Sequence, residues 1–245
     1  MSKRKIISSL FLSATVLGGL LFTQTPTVKA IASEGVQIIS PKSESAPIFS
    51  PGELIQETNY NDLVQKSVSI EDFSTNSNNE FTWKVKFDPT HWNFTNDKGG
   101  YYFIIPERLK LKSITDQTGK NLLEQFPKDV SDSNNNSDSK YRLFKKESNA
   151  SGDRNFESQW GRVGSGQVNQ WKDRNLFSEI YYIDKPGHSG PVTYQLSAEV
   201  TNPQNTNTSF PLVAVMKNYY AKTWYLGEPA SLAGREVTIE PRQTN

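Results

Sequence analysis

Glu80-Phe81-Thr82-Trp83-Lys84-Val85-Lys86-Phe87 decides the fold class. Phe81, Trp83, Val85 and Phe87 alternate with Thr82, Lys84 and Lys86, the period of two that a strand shows when one face is dry and the other wet. Val192, Tyr194, Leu196, Ala198 and Val200 repeat the pattern, with Thr193, Gln195, Ser197, Glu199 and Thr201 between them. Weaker strand signals cover Ser67 to Ile70, Tyr101 to Ile105, Leu109 to Thr115, Ser178 to Asp184, Leu212 to Tyr220 and Glu236 to Glu240, each bounded by Gly, Pro, Asn or Asp. Helical periodicity is almost absent; only Asn121 to Phe126 suits a short helical turn. The expectation is an all-β antiparallel sandwich of about eight strands with long polar loops.

Outward from this region the chain changes character. Lys3, Arg4 and Lys5 precede an uncharged apolar run from Ile6 to Phe22, and Val28-Lys29-Ala30 offers a small-x-small cleavage site, so residues 1–30 read as a secretory signal peptide. Residues 31–65 are polar, and Pro41, Pro47 and Pro51 interrupt regular structure, which suggests an extended polar leader with little core, apart from a short edge strand at Val36 to Ile39. The sandwich domain is then 66–245. Between Lys128 and Gly152 lies a polar stretch centred on Ser131 to Ser139, expected to be a long exposed loop.

Charge and composition exclude several classes. The chain has 27 basic and 26 acidic residues; losing Lys3, Arg4, Lys5 and Lys29 with the signal peptide leaves 23 against 26, a net charge of about −3. The basic residues are scattered, so nucleic acid is not an expected partner. With no cysteine, disulfides, thiolate metal sites, cysteine nucleophiles and lipidated cysteines are excluded. No apolar stretch after Phe22 is long enough to span a membrane, and the last residues carry no LPxTG-type sorting signal, so a secreted product, released or held non-covalently at the cell surface, is expected.

No motif brings a convincing catalytic set. Gly187-His188-Ser189-Gly190-Pro191 places a hydroxyl beside an imidazole, but a nucleophile elbow lies between a strand and a helix, whereas this string lies between strands. It reads as a turn. Gly161-Arg162-Val163-Gly164-Ser165-Gly166 lacks the Lys-Ser/Thr of a phosphate loop. Asp132, Asn134, Asn136 and Asp138 alternate as in a calcium loop but without its glycine and closing glutamate, so no metal or cofactor is expected. The candidate ligand-binding residues are therefore aromatic and basic: Trp160, Arg162, Trp171, Arg174, Tyr219 and Tyr225, suited to stacking on a sugar or filling a partner's pocket. The bland alternative places Trp160 and Trp171 as caps on the end of the core.

The segments Phe81 to Phe87, Gly99 to Lys110, Ile180 to Asp184 and Val192 to Thr201 together resemble the strands of Ig-like domains in Gram-positive bacterial surface adhesins. That resemblance implies an Ig-like β-sandwich whose partner is a host or cell-surface protein or glycan, a role in virulence, and no ligand contact assignable by residue. Two alternatives stand beside it: a secreted enzyme acting on polysaccharide through carboxylates scattered over several loops, and a β-rich pore-forming toxin, for which the Ser131 to Ser139 segment is too hydrophilic to insert.

Overall fold

The computed structural model describes residues 48–58, 66–75, 80–92, 99–146, 156, 159, 166–201, 208–217 and 230–240. Within them are ten strands: β1 (Ile48–Thr58), β2 (Val68–Thr75), β3 (Glu80–Phe87), β4 (Gly100–Pro106), β5 (Leu109–Thr115), β6 (Tyr141–Lys145), β7 (Phe177–Asp184), β8 (Val192–Val200), β9 (Thr208–Lys217) and β10 (Ala230–Glu240). They form two antiparallel sheets, ordered β1-β10-β9-β4-β7-β6 and β2-β3-β8-β5. One helix, α1 (Gln167–Asp173), and a 3-10 turn at Leu123–Gln125, inside the expected Asn121 to Phe126, complete the described elements.

The alternation in β3 is realised in burial: Phe81, Trp83, Val85 and Phe87 are buried while Thr82, Lys84 and Lys86 reach toward solvent. Register with β8 sets Val85 opposite Tyr194 and Phe87 opposite Val192, so two apolar faces coincide. Every residue of β4 is buried, because the six-stranded sheet is covered on both sides. Tyr101, Phe103 and Ile105 face the four-stranded sheet, where Phe87 stacks on Tyr101 with centroids 4.1 Å apart. Tyr102 and Ile104 face a second core built with Phe144, Ile180 and, from α1, Val168 and Trp171. A strand dry on both faces shows a continuous apolar run instead of alternation, which is how Tyr101 to Ile105 reads.

Two elements correct the sequence reading. β1 lies in the stretch expected as an extended leader. It is extended, but as the edge strand of the large sheet, with Ile48 opposite Glu240 and Thr58 opposite Ser231. Pro51 sits beside a register shift on an edge strand, the setting in which a strand tolerates proline. Gln56 Nε2 donates to Val68 O at 2.6 Å and so ties this edge to the other sheet. The Val36 to Ile39 strand lies outside the described residues.

β6 lies within the polar stretch from 128 to 152 that was expected to be a long exposed loop. Its approach, residues 129–139, is ordered by local hydrogen bonds rather than by bulk apolar burial: Asp129, Asp132 and Asn136 each accept from a backbone N–H one or two residues ahead, and the Ser139 hydroxyl donates to Asn134 O. Asn135, fully buried, anchors the segment. Composition alone does not register such side-chain-to-backbone bonds.

The registers define two poles. Ile48 and Glu240 meet at one. At the other, Asp184, Gly100, Lys217 and Ala230 stand in one row across β7, β4, β9 and β10.

Candidate functional site

At the Asp184 pole three segments converge: the turn after β5, the residues entering β6, and the β7–β8 connection. The first is a tight turn in which Gly119, at φ +83, lets its N–H reach Asp116 O at 3.0 Å. Asp116 Oδ1 accepts from Thr118 N at 2.9 Å, Thr118 Oγ1 at 2.6 Å and Lys120 N at 3.1 Å. These bonds fix the carboxylate, and the Thr118 hydroxyl above all holds its pKa below the ordinary value. The β7–β8 connection turns through Lys185 and Gly187, both at positive φ, as expected of the Gly187 to Pro191 string. Gln117 Nε2 approaches Pro191 O at 3.5 Å, linking the two turns.

Between these segments lies a cleft of about 230 Å³. Leu122, Ile183, Val192 and Tyr194, all buried, make its apolar floor; half-buried Tyr141 forms a wall; Asp116, Gln117, Thr118, Lys140 and His188 supply polar groups at the rim. The Tyr141 ring is held edge-on by Phe126, centroids 5.1 Å apart, and Lys140 Nζ lies 5.8 Å from its centroid. His188 is exposed; its ring is parallel to Tyr101 and Nε2 lies 3.4 Å from the Tyr194 hydroxyl. Partial burial, reinforced by Lys140 and opposed by Asp116, lowers the imidazole pKa. Burial raises the pKa of Tyr141 and Tyr194, so both hydroxyls stay protonated and can donate. An apolar floor, an aromatic wall and polar groups of both kinds suit a small ligand with apolar ring faces and many hydroxyls.

Of the residues expected to bind ligand, Trp171 is 1% exposed and packs in the second core, where an added Cβ on Gly234 would lie 2.8 Å from its Cζ3. Trp171 lies on the face of the six-stranded sheet rather than at the end of the core, and its ring face is not available to a ligand. Arg174 is exposed at the end of α1 and is not part of the cleft. Trp160, Arg162, Tyr219 and Tyr225 lie outside the described residues. The cleft residues were not singled out in the sequence, apart from His188 as part of a turn. The available signal was positional: Asp116-Gln117-Thr118-Gly119 and Pro186-Gly187-His188 each follow a strand end, and antiparallel pairing brings those ends to one pole.

No protein-family model and no curated protein matches the chain. Solved structures do. The crystal structure of the adhesin Fhb of Streptococcus suis is 35% identical, covers 77% of this chain and 100% of its own, and superposes with a TM-score of 0.69. A mutant of the Streptococcus suis protein SadP is 36% identical, covers 80% of this chain and 100% of its own, with a TM-score of 0.71. Fhb bound to its disaccharide receptor Gb2 matches at 35% identity over 77% of this chain and 100% of that one, with a TM-score of 0.68. The likeness to Gram-positive surface adhesins read from the strands is thereby supported at the level of the adhesin domain. This chain belongs to the family of the Streptococcus suis adhesins Fhb and SadP.

Proposed function

We propose that the protein is an exported adhesin that attaches to a host or cell-surface glycan, with one sugar ring seated in the cleft between Asp116, Tyr141 and His188. The cleft itself carries this reading: an apolar floor and a half-buried tyrosine can cover the C–H face of a sugar, while Asp116, Gln117, Thr118 and His188 can exchange hydrogen bonds with its hydroxyls. Kinship supports it, since Fhb has been captured with the disaccharide Gb2. The signal peptide at residues 1–30 gives the route out of the cell, and an Ig-like relationship and a role in virulence fit the same picture. Arg174, with Trp160, Arg162, Tyr219 and Tyr225, remains a candidate for contacts to a longer glycan or a protein partner.

The placement of the cleft agrees with this role. The chain enters the sandwich at Ile48 and leaves it at Glu240, at the pole opposite the cleft. β10 alone spans 11 residues, roughly 35 Å at the usual rise of a strand. A sandwich held at Ile48 or Glu240 therefore turns its cleft outward.

The test is binding of Gb2 in solution and of a neutral-glycan array by residues 31–245, with Tyr141→Ala and Gln117→Ala alongside. Each variant is expected to weaken binding by about tenfold or more while leaving the melting temperature near that of the parent. No binding to any glycan, or a Tyr141→Ala variant that binds like the parent, overturns the assignment.

A further inference from the structure

We infer that the cleft is proton-linked: its occupant and a proton on His188 exclude one another, so binding weakens on mild acidification. This rests on the glycan reading above. His188 stands where the occupant would sit, at the rim, and its surroundings offer a cation little. From β4 the Tyr101 ring lies parallel to the imidazole at 4°, centroids 6.5 Å apart, and from β8 the Tyr194 hydroxyl lies 3.4 Å from Nε2. Both are neutral. A neutral imidazole with its proton on Nδ1 can accept from that hydroxyl, whereas protonation turns Nε2 into a donor and forces the hydroxyl to reorient.

The charged neighbours do not compensate. Lys140, entering β6 across the cleft, repels a second cation. Asp116, on the turn after β5, attracts one, but Thr118 N, Thr118 Oγ1 and Lys120 N hold its carboxylate in the turn through Oδ1, and its attraction ranks behind burial and Lys140. Tyr141, the remaining titratable group of the lining, is neutral as well. In the free protein, exposed His188 can be charged because water reaches it. An occupant removes that water and leaves the Lys140 repulsion in place, so it favours the neutral ring. Reciprocity then requires that protonating the ring disfavours the occupant by the same factor. The direction of the pKa displacement in the empty cleft, downward through burial first and Lys140 second, is consistent with this.

The chain contains two histidines, so a His188→Gln variant identifies the His188 imidazole signal in an NMR titration. The parent protein is titrated free and saturated with Gb2, and Gb2 affinity is measured at about pH 7.5 and about pH 5. The expected results are a His188 midpoint that drops when Gb2 is bound, affinity lower by roughly threefold or more at the acidic pH, and no such loss in His188→Gln. A midpoint unmoved by saturating Gb2, or a His188→Gln variant that keeps the full acid loss, overturns the proton linkage alone and leaves the glycan reading standing. Failure to bind Gb2 at both pH values overturns the cleft assignment, and the linkage with it.

Discussion

Asn135 takes the place of a strand beside Leu143: its Oδ1 accepts from Leu143 N at 3.1 Å, and its Nδ2 donates to Leu143 O at 2.7 Å. A single side chain thus satisfies both outward backbone groups of that residue on the outer edge of β6, which Asn135 buries. The same amide nitrogen donates to Val130 O at 3.1 Å. An edge strand otherwise presents unpaired N–H and C=O groups as a template for another chain.

Asn135→Ala should therefore lower stability by about 2–4 kcal/mol, because buried groups of Leu143 and Val130 lose their partner. Asn135→Asp should be at least as damaging, since a carboxylate cannot replace the two donations. Chemical denaturation measures the loss; a variant within about 0.5 kcal/mol of the parent would contradict this account of the β6 edge.

Gly234→Ala tests the packing of α1 on the large sheet. The new methyl would meet the Trp171 ring at 2.8 Å and a Val168 methyl at 3.4 Å, both in the second core. Overpacking should cost about 1–3 kcal/mol and shift the tryptophan fluorescence as Trp171 is displaced. An unchanged melt and spectrum would remove Trp171 from the core.

Alkaline pH should destabilise the protein through its buried tyrosines. Burial raises the pKa of Tyr101, Tyr181, Tyr182 and Tyr194 well above the ordinary 10. Above pH 10 the unfolded chain releases protons that the folded chain retains, so stability present below that value falls as pH rises. Ultraviolet titration should show a part of the ten tyrosines ionising only when the fold is lost. Smooth ionisation of all ten with the near-ultraviolet circular dichroism intact would contradict it.

How much of this was legible beforehand depended on what holds each element. β3 and β8 were plain because one face of each is wet; β4 gave a weaker signal, because a strand with both faces dry shows an apolar run without alternation. β1 and β6 were not plain, since each is an edge strand held by register with one neighbour and by single side chains, Gln56 for β1 and Asn135 for β6. The cleft escaped for a related reason. Asp116, Tyr141 and His188 are far apart in sequence, and only antiparallel pairing returns their strand ends to one pole. Trp171 drew attention as a large aromatic beside arginines, but the missing side chain of Gly234 admits it to the core.

Orientation gives a further expectation. Immobilised through a tag beyond Glu240, the protein should bind Gb2 as well as it does in solution, because the cleft lies at the opposite pole. Coupling through a cysteine introduced at exposed Lys140, a rim residue, should abolish binding. Equal binding in both orientations would place the site elsewhere.

The most direct test of the central claim is chemical-shift mapping of the labelled protein titrated with Gb2 at neutral pH. The account predicts saturable shifts concentrated at Asp116, Gln117, Thr118, Lys140, Tyr141 and His188, with little change on the outward face of β3 and β8 at Lys84 and Gln195. Saturable shifts centred on Arg174 and α1, with the cleft signals unmoved, would contradict it.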